Sequence, residues 1–340
     1  MPWCRCGGCC WGCEADMGRL LRAQIGLMAA VPALLWAYGW WLERTNERLG
    51  LSELRDPEQT VAVNGLSLHY LDVGQGPPVL LLHGMGGSLA NFPRTIELLS
   101  RSRRVVALDL AGFGLSDRPR DADLTPQGQA RLVRGLMQAL GIEQADVIGH
   151  SLGGAIALHL AARYPESVRR LVLVSSAVPG RLIPWFLRPF WFPPVVRTIV
   201  ALCLHCGPAR EWMWRAGVWS ADVLTPELRR AMRLPSLVRG TTDAITRVGL
   251  ALAREEPLDL SQVRQPVLLL WGAEDRWVDL KSARRLLRTL PDARLEVVPR
   301  ARHMVLEERP DEAHAAILSF LQQGPLPGQA TGEAAGQAVS

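Results

Sequence analysis

Short apolar runs alternate with segments of helical periodicity along this 340-residue chain. Largely apolar runs lie at 79–83, 105–108, 145–148, 170–174, 267–271 and 295–298. Such runs are typical of parallel strands in a sheet that is covered on both faces. The apolar spacing of a helix is found between them, at 125–140, 152–163, 280–290 and 310–321. The alternation predicts an α/β fold with a doubly wound, mostly parallel sheet.

Two regions depart from this alternation. Residues 60–63 and 66–73 alternate apolar and polar side chains around Asn64-Gly65, a dipeptide that favours the positive φ angles of a tight turn. They predict a β-hairpin. Residues 178–253 contain no clear strand, but they contain many aromatic side chains and several short helical stretches. We therefore predict that a helical cap is inserted into the α/β core.

The N-terminal region contains a candidate membrane segment. Residues 23–42 are uncharged and mostly apolar, and as a helix they would span about 30 Å, the thickness of a bilayer's hydrocarbon core. Tryptophan and tyrosine side chains crowd the far end of this segment, as interfacial aromatics do. We predict a single membrane anchor, whose orientation stays open because the flanking arginines are nearly balanced. A cleaved signal peptide and an interfacial helix are the alternatives.

These features divide the chain into seven parts. A Cys-rich segment at 1–22, whose first sixteen residues a wrongly assigned start codon would explain, is followed by the anchor at 23–42 and a linker at 43–58. We expect the α/β core at 59–177 and 254–323, the cap at 178–253 and a loose tail at 324–340. Metal binding and acylation are the alternatives for the N-terminal cysteines.

The composition argues against two classes of function. The formal net charge is +5, but Lys281 is the only lysine, so a Walker-type phosphate loop, which needs a lysine after its glycines, is impossible. The arginines are scattered rather than gathered in a stripe, so we expect no nucleic-acid partner. The weak positive balance fits an anionic membrane surface better. We expect neither a cofactor nor a metal, and the oligomeric state stays open.

A candidate nucleophile lies at Ser151. The segment Gly149-His-Ser151-Leu-Gly153 lies between a predicted strand and a predicted helix. A serine at such a junction occupies a strained, sharply turned position, and the glycines on either side give the backbone room to pass. We therefore predict that Ser151 is a nucleophile. A serine in an ordinary glycine turn is the alternative.

A serine hydroxyl is a weak nucleophile until a base removes its proton, so the site needs an imidazole and a group that orients it. His303 follows the run at 295–298, where the carboxyl edge of the sheet should meet the serine. Asp275 follows the run at 267–271 and is the predicted acid. Asp279 is the alternative acid, although it is also well placed to cap the next helix.

Two backbone N–H groups are candidates for an oxyanion hole. Leu152 begins the predicted helix after the serine, at the positive end of the helix dipole. Met85 lies in the glycine turn His83-Gly-Met85-Gly-Gly87. Both N–H groups are expected to donate to the oxygen that becomes negatively charged during acyl transfer. Plain strand termination is the alternative explanation of the glycine turn.

These motifs, taken together, resemble the α/β-hydrolase superfamily. Five occur in order between about residues 60 and 322: His83-Gly84-Met85-Gly86, the segment from Asp109 to Asp117, Gly149-His-Ser151-Leu-Gly153-Gly154, Trp271-Gly-Ala-Glu-Asp275, and His303 followed by Glu308-Arg-Pro310. The resemblance implies the α/β-hydrolase fold and a triad of Ser151, Asp275 and His303. Dehalogenases and epoxide hydrolases of the family carry aspartate at the serine position, which argues against both. Arg302 departs from the family pattern, in which glycine commonly precedes the histidine.

The predicted substrate depends on the cap and on the N-terminal segment. Eight aromatic side chains are concentrated in the cap: Trp185, Phe186, Phe190, Trp191, Phe192, Trp212, Trp214 and Trp219. Together with the candidate anchor, they resemble membrane-anchored monoacylglycerol lipase-like hydrolases. We predict hydrolysis of a lipid ester with an apolar acyl chain at a membrane. Ordinary packing against the core is the alternative explanation of the aromatic side chains.

Two other activities of the same fold stay open at this point. A carbon–carbon bond hydrolase that acts on a polar substrate would need charged groups in the cap, and Arg181, Arg188 and Arg197 are candidates. A small-ester esterase would not need them. A binding protein without catalytic activity is expected to have lost a member of the triad, and none is missing.

Overall fold

The computed structural model describes residues 32–180 and 191–322. Its centre is a sheet formed by the strands β1 (Thr60–Val63), β2 (Leu66–Val73), β3 (Pro78–Leu82), β4 (Arg104–Leu108), β5 (Ala145–His150), β6 (Val168–Val174), β7 (Val267–Gly272) and β8 (Ala293–Val298). Their order is β1-β2-β4-β3-β5-β6-β7-β8. β2 is antiparallel to both β1 and β4, and the other neighbours are parallel. The predicted hairpin and mostly parallel sheet are confirmed.

Helices connect the strands and cover both faces of the sheet. Those described are α1 (32–46), α2 (Pro93–Leu99), α3 (Pro126–Ala139), α4 (Leu152–Arg163), α5 (Pro193–His205), α6 (Gly207–Ala216), α7 (Pro226–Arg233), α8 (Thr241–Arg254), α9 (Leu280–Thr289), α10 (Val305–Glu308) and α11 (Pro310–Gln322). Helices α5 to α8 lie between β6 and β7, where the cap was predicted. The domain boundaries themselves stay a prediction.

The central strands are apolar at successive positions because helices cover both faces. In β3, Leu80 and Leu82 belong to an apolar cluster that includes side chains of α3 and α4. The alternate residues Val79 and Leu81 belong to a second cluster, which includes side chains of α2 and α11. Side chains of a strand point alternately to opposite faces, so an unbroken apolar run fills both layers of the core.

The predicted membrane anchor at 23–42 is wrong. Its first part, 23–31, lies outside the described residues, and the rest belongs to α1, which packs on the cap. Gly39 approaches α5 so closely that an added Cβ would lie 3.4 Å from Thr198 Cα. Glu43 of α1 forms an ion pair with Arg197 of α5 at 2.6 Å. Within the two described ranges, no helix combines the length and the apolar character needed to span a bilayer.

The predictions for the Cys-rich segment at 1–22 and for the tail at 324–340 lie outside the described residues. Cys203 and Cys206 of the cap are described as half-buried free thiols. Burial raises the pKa of Cys203, which is consistent with a packing role rather than with a reactive thiolate.

Candidate active site

Ser151 lies at a sharp turn between β5 and α4. Its backbone has φ 53° and ψ −115°, and a positive φ is unusual for a residue with a side chain. The flanking glycines allow neighbouring backbone segments to approach closely at this turn. A Cβ added at Gly149 would overlap the carbonyl group of Gly153, and one added at Gly153 would overlap the carbonyl group of Leu82. The turn therefore holds the Ser151 side chain at the carboxyl edge of the sheet.

This crowding gives a stability prediction. We expect Gly153→Ala to lower the free energy of unfolding by about 1–3 kcal/mol, because the added methyl group overlaps backbone atoms of β3. Gly207→Ala is a matched control, since an added Cβ there has no atom within 4 Å, and it should change stability by less than about 0.5 kcal/mol. Urea unfolding of both variants measures the difference. Equal stability of the two variants would contradict the crowding argument.

Asp275 and His303 are joined by a buried hydrogen bond. His303 Nδ1 lies 2.9 Å from Asp275 Oδ2, and because a carboxylate can only accept, Nδ1 carries the proton. Asp275 Oδ1 accepts from the backbone N–H groups of Trp277 and Val278 at 2.8 and 3.0 Å. Burial opposes ionisation of Asp275, but the bond from His303 and the two N–H groups outweigh it and hold the pKa of the carboxyl below its usual value. The carboxylate is thus fixed, charged and aimed at the imidazole.

Asp279, the alternative acid, lies elsewhere. Its side chain is exposed and accepts from the backbone N–H of Ser282 at 3.0 Å and from the Ser282 hydroxyl at 2.9 Å. These contacts cap the N-terminus of α9.

The loop that carries His303 is held by the cap. The backbone N–H groups of His303 and Met304 both donate to the carbonyl oxygen of Gly217, at 3.0 and 3.3 Å. Glu308 accepts from Arg302 N at 2.8 Å and also from Trp219 N, so it bonds to the histidine loop and to the cap segment after α6. No sequence motif signals the role of the Gly217 carbonyl.

Two rings lie against the His303 imidazole. The Trp277 ring centroid is 5.0 Å away and the His150 centroid is 4.8 Å away. His150 Nε2 donates to the carbonyl oxygen of His303 at 2.9 Å. Burial, together with the nearby His303, lowers the pKa of His150 to about 3, so its ring is neutral. Trp277, which is 46% exposed, is the residue that faces solvent beside the imidazole.

The glycine turn at 83–87 packs against Ser151. A Cβ added at Gly84 would lie 3.1 Å from Ser151 Cβ. His83 anchors the turn: its Nε2 accepts from Leu110 N at 3.0 Å, so its Nδ1 carries the proton and donates to the Gly84 carbonyl at 2.7 Å. Burial lowers the pKa of His83, so the imidazole ring stays neutral.

The structure therefore brings the turn that contains Met85 to Ser151, and Leu152 is the first residue of α4. The first N–H groups of a helix have no carbonyl partner within it. Among the described residues, no hydrogen bond joins the Ser151 hydroxyl to His303. Such contacts are often long without substrate and tighten in the reacting complex. No group of three or more His, Cys, Asp or Glu side chains in the described ranges could hold a metal ion.

The aromatic side chains of the cap have different environments. Trp191 donates from its indole nitrogen to the Gly249 carbonyl of α8 at 3.0 Å. Trp214 is 8% exposed and packs in a cluster with Met304, the neighbour of His303. Trp212 and Trp219 are exposed. Trp185, Phe186 and Phe190 lie outside the described residues. Trp191 and Trp214, at least, serve the packing of the cap.

Comparison with known proteins gives consistent matches to one fold. The family model described as alpha/beta hydrolase fold matches residues 77–201. The 2-hydroxy-6-oxo-6-phenylhexa-2,4-dienoate hydrolase of Burkholderia cepacia is 31% identical over 280 residues, which cover 78% of this chain and 96% of that protein.

Two solved structures are similar over most of their length. One is a mutant form of the meta-cleavage product hydrolase CumD, at 28% identity and a TM-score of 0.65, covering 78% of this chain and 98% of that one. The other is a membrane phospholipase A, a bacterial virulence factor, at 29% identity and a TM-score of 0.66, covering 91% of this chain and 97% of that one.

The predicted lipid ester is wrong as the substrate. The Burkholderia cepacia relative, at 31% identity, is a hydrolase of a dienoate, and further curated relatives carry names of the same kind, among them a 2-hydroxymuconate semialdehyde hydrolase of Pseudomonas putida. The likeness to membrane-anchored monoacylglycerol lipases is not supported by these relatives. Of the aromatic side chains behind that prediction, Trp191 and Trp214 are engaged in packing. Phe192, Trp212 and Trp219 are exposed, so an aromatic-rich cap does not by itself identify an acyl site.

Proposed function

Because this chain belongs to the α/β-hydrolase superfamily, we propose that it is a carbon–carbon bond hydrolase of 2-hydroxy-6-oxo-dienoates, with Ser151, Asp275 and His303 as its catalytic triad. The observation that carries the proposal is the 31% identity to a hydrolase of such a dienoate over 96% of that protein's length. The buried bond between Asp275 and His303 and the strained turn at Ser151 support the triad.

In the first step, the attack on the 6-oxo carbon, we assign Ser151 as the nucleophile and His303 as the base. The imidazole has its proton on Nδ1, held by Asp275, so Nε2 is free to take the Ser151 hydroxyl proton. Serine oxygen then bonds to the carbon of the substrate's 6-oxo group, and the carbonyl electron pair moves to oxygen. The N–H groups of Met85 and Leu152 are proposed to stabilise that oxyanion.

Collapse of the oxyanion breaks the bond between carbons 5 and 6 of the substrate. The electron pair stays on carbon 5. This carbanion is stabilised when the 2-hydroxydienoate has first tautomerised to its 2-oxo form, because the negative charge then delocalises to the 2-oxygen. The His303 imidazolium returns its proton to this leaving group. Water, deprotonated by the same imidazole, then hydrolyses the acyl-Ser151 ester to a carboxylic acid and regenerates the serine.

The carboxylate of the dienoate needs a positively charged partner in the site. Arg197, one of the three cap arginines considered for a carboxylate, is already held by Glu43 and Asp243 at 2.6 and 3.1 Å. Arg181 and Arg188 lie outside the described residues. Trp277 is 46% exposed and its ring lies beside His303, and we propose that it stacks on the planar conjugated chain of the substrate.

The test is turnover of 2-hydroxy-6-oxo-6-phenylhexa-2,4-dienoate by the purified protein. We expect loss of the dienoate absorbance at about 1 per second or faster, with benzoate and 2-hydroxypenta-2,4-dienoate formed in equal amounts by mass spectrometry. Boiled protein is the control for spontaneous decay. Hydrolysis of p-nitrophenyl acetate without any release of benzoate would reject the carbon–carbon activity and leave the hydrolase assignment standing.

A further inference from the structure

Glu47, just after α1, places a buried carboxylate at the N-terminus of cap helix α8. Its Oε1 accepts from Thr242 N at 2.7 Å, and its Oε2 accepts from Gly240 N at 2.8 Å. Gly240, the residue that precedes α8, has φ 84° and no side chain with which to cap the helix. The Glu47 carboxylate therefore satisfies N–H groups that the helix leaves free, and its negative charge faces the positive end of the helix dipole.

The same carboxylate joins a second cap helix. His205, in the last turn of α5, has its Nε2 3.3 Å from Glu47 Oε1 and 3.1 Å from Thr242 Oγ1. The side chains of His205 and Glu47 are 0% and 4% exposed. Backbone bonds reinforce the junction: Leu49 N donates to the Leu237 carbonyl at 3.1 Å, and Arg239 N donates to the Leu49 carbonyl at 3.0 Å. Residues 47–49, which lie within the segment predicted to be a linker, are thus bonded to the cap.

Helix α8 in turn lies beside the turn at 83–87 and beside the segment from Asp109 to Asp117. In its first turns, Ile245 is buried, and its Cδ1 lies 3.9 Å from the position of a Cβ added at Gly86. The neighbouring Ala244 lies 3.2 Å from the position of a Cβ added at Gly112. Gly86 follows Met85, the proposed oxyanion donor. A displacement of the N-terminus of α8 would therefore move the side chain that lies beside the turn that contains Met85.

We propose that Glu47 is a positioning residue for the oxyanion hole, acting through α8 and Ile245 on the turn that contains Met85. The inference rests on the role of Met85 in the proposed function. It makes the N-terminal helix part of the working enzyme, because the segment that follows α1 sets the position of a cap helix over the site. An oxyanion contact strengthens in the transition state, so its loss should appear in kcat rather than in KM.

The test compares Glu47→Ala with Glu43→Gln in the full chain, using p-nitrophenyl acetate as the probe. Glu43 belongs to α1 and pairs with Arg197 of α5, which also pairs with Asp243 of α8, but Glu43 accepts no hydrogen bond from Gly240 N or Thr242 N, which Glu47 binds. Active sites are counted by titration with a fluorophosphonate, so that misfolded protein does not enter kcat. We expect kcat per titrated site to fall about tenfold in Glu47→Ala with KM changed less than about twofold. Glu43→Gln should keep both values.

Two further variants complete the test. Glu47→Gln keeps one acceptor oxygen for Thr242 N and should recover part of kcat. Ile245→Val removes Cδ1, the atom that lies nearest the position of a Cβ added at Gly86. If Glu47→Ala does not fold, this variant is the test, and the same fall in kcat is expected. Unchanged kcat per titrated site in Glu47→Ala or Ile245→Val would overturn the inference, even if melting temperatures fall. Failure of the dienoate assay would not affect this comparison, since the probe is an ester.

Discussion

Replacing Ser151 with alanine is expected to lower kcat for the dienoate by about 10⁴-fold or more, because no other group can form the acyl-enzyme. The fold should be unchanged. The hydrogen bonds that hold Ser151 are made by its backbone. Its N–H donates to the Val174 carbonyl at 3.0 Å, and its carbonyl accepts from Ala177 N at 2.9 Å. Alanine keeps both contacts.

The measurement is steady-state turnover, with thermal melting of the same samples. Ser261→Ala is the matched control, since Ser261 is an exposed serine in a different loop, and it should keep full activity. The fluorophosphonate should label the wild-type protein and Ser261→Ala but not Ser151→Ala. Undiminished turnover by pure Ser151→Ala would show that the nucleophile has been assigned to the wrong residue.

Asp275→Asn is expected to lower kcat by about 10³-fold to 10⁴-fold. An amide cannot stabilise the imidazolium, and its NH₂ group can present a donor to His303 Nδ1, which favours the wrong tautomer. Asp279→Asn is the matched control. It retains an acceptor for the cap of α9 and should change kcat less than about twofold. The comparison uses dienoate turnover by both variants, and the reverse ranking would show that Asp279 is the acid.

The lowered pKa of Asp275 also determines how its contribution to stability changes with pH. A carboxyl whose pKa is lower in the folded protein than in the unfolded chain stabilises the fold above the unfolded pKa. That stabilisation is lost as the pH falls through the folded pKa, which lies below the ordinary value of an aspartate. Asp275 therefore stays charged throughout the neutral range, and the acidic limb of the pH–rate profile should come from another group.

The mostly parallel sheet and its hairpin could be predicted from the sequence because they depend on local patterns. The apolar runs mark strands covered on both faces, and the Asn64-Gly65 turn marks the hairpin. The pairing of Asp275 with His303 was also predictable, since both residues follow strands whose carboxyl ends share one edge of the sheet.

The N-terminal prediction failed because hydropathy counts side chains without regard to what they contact. Gly39 lies against α5 of the cap, Leu42 is buried, and Glu43 pairs with Arg197. A stretch of uncharged residues cannot distinguish a lipid-facing helix from one that packs on protein through part of its surface. The lipid prediction depended on the same stretch and on the cap aromatics, of which Trp191 and Trp214 have packing partners distant in the sequence.

The supports of the site could not be predicted, because they are tertiary contacts. The Gly217 carbonyl bonds to the histidine loop, which is distant in the sequence, and Glu47 bonds to Thr242, which is 195 residues away. Neither contact carries a sequence motif. Such contacts follow from how the cap lies on the core, which only the folded chain defines.

The proposed reaction cleaves a bond between two carbons. The most direct measurement is the ratio of kcat/KM for 2-hydroxy-6-oxo-6-phenylhexa-2,4-dienoate to kcat/KM for p-nitrophenyl esters of increasing acyl length. We expect the dienoate value to exceed every ester value by about 100-fold or more, since a site that binds the polar dienoate rejects analogues that lack its groups. A kcat/KM that rises with acyl length, with no turnover of the dienoate, would contradict the account.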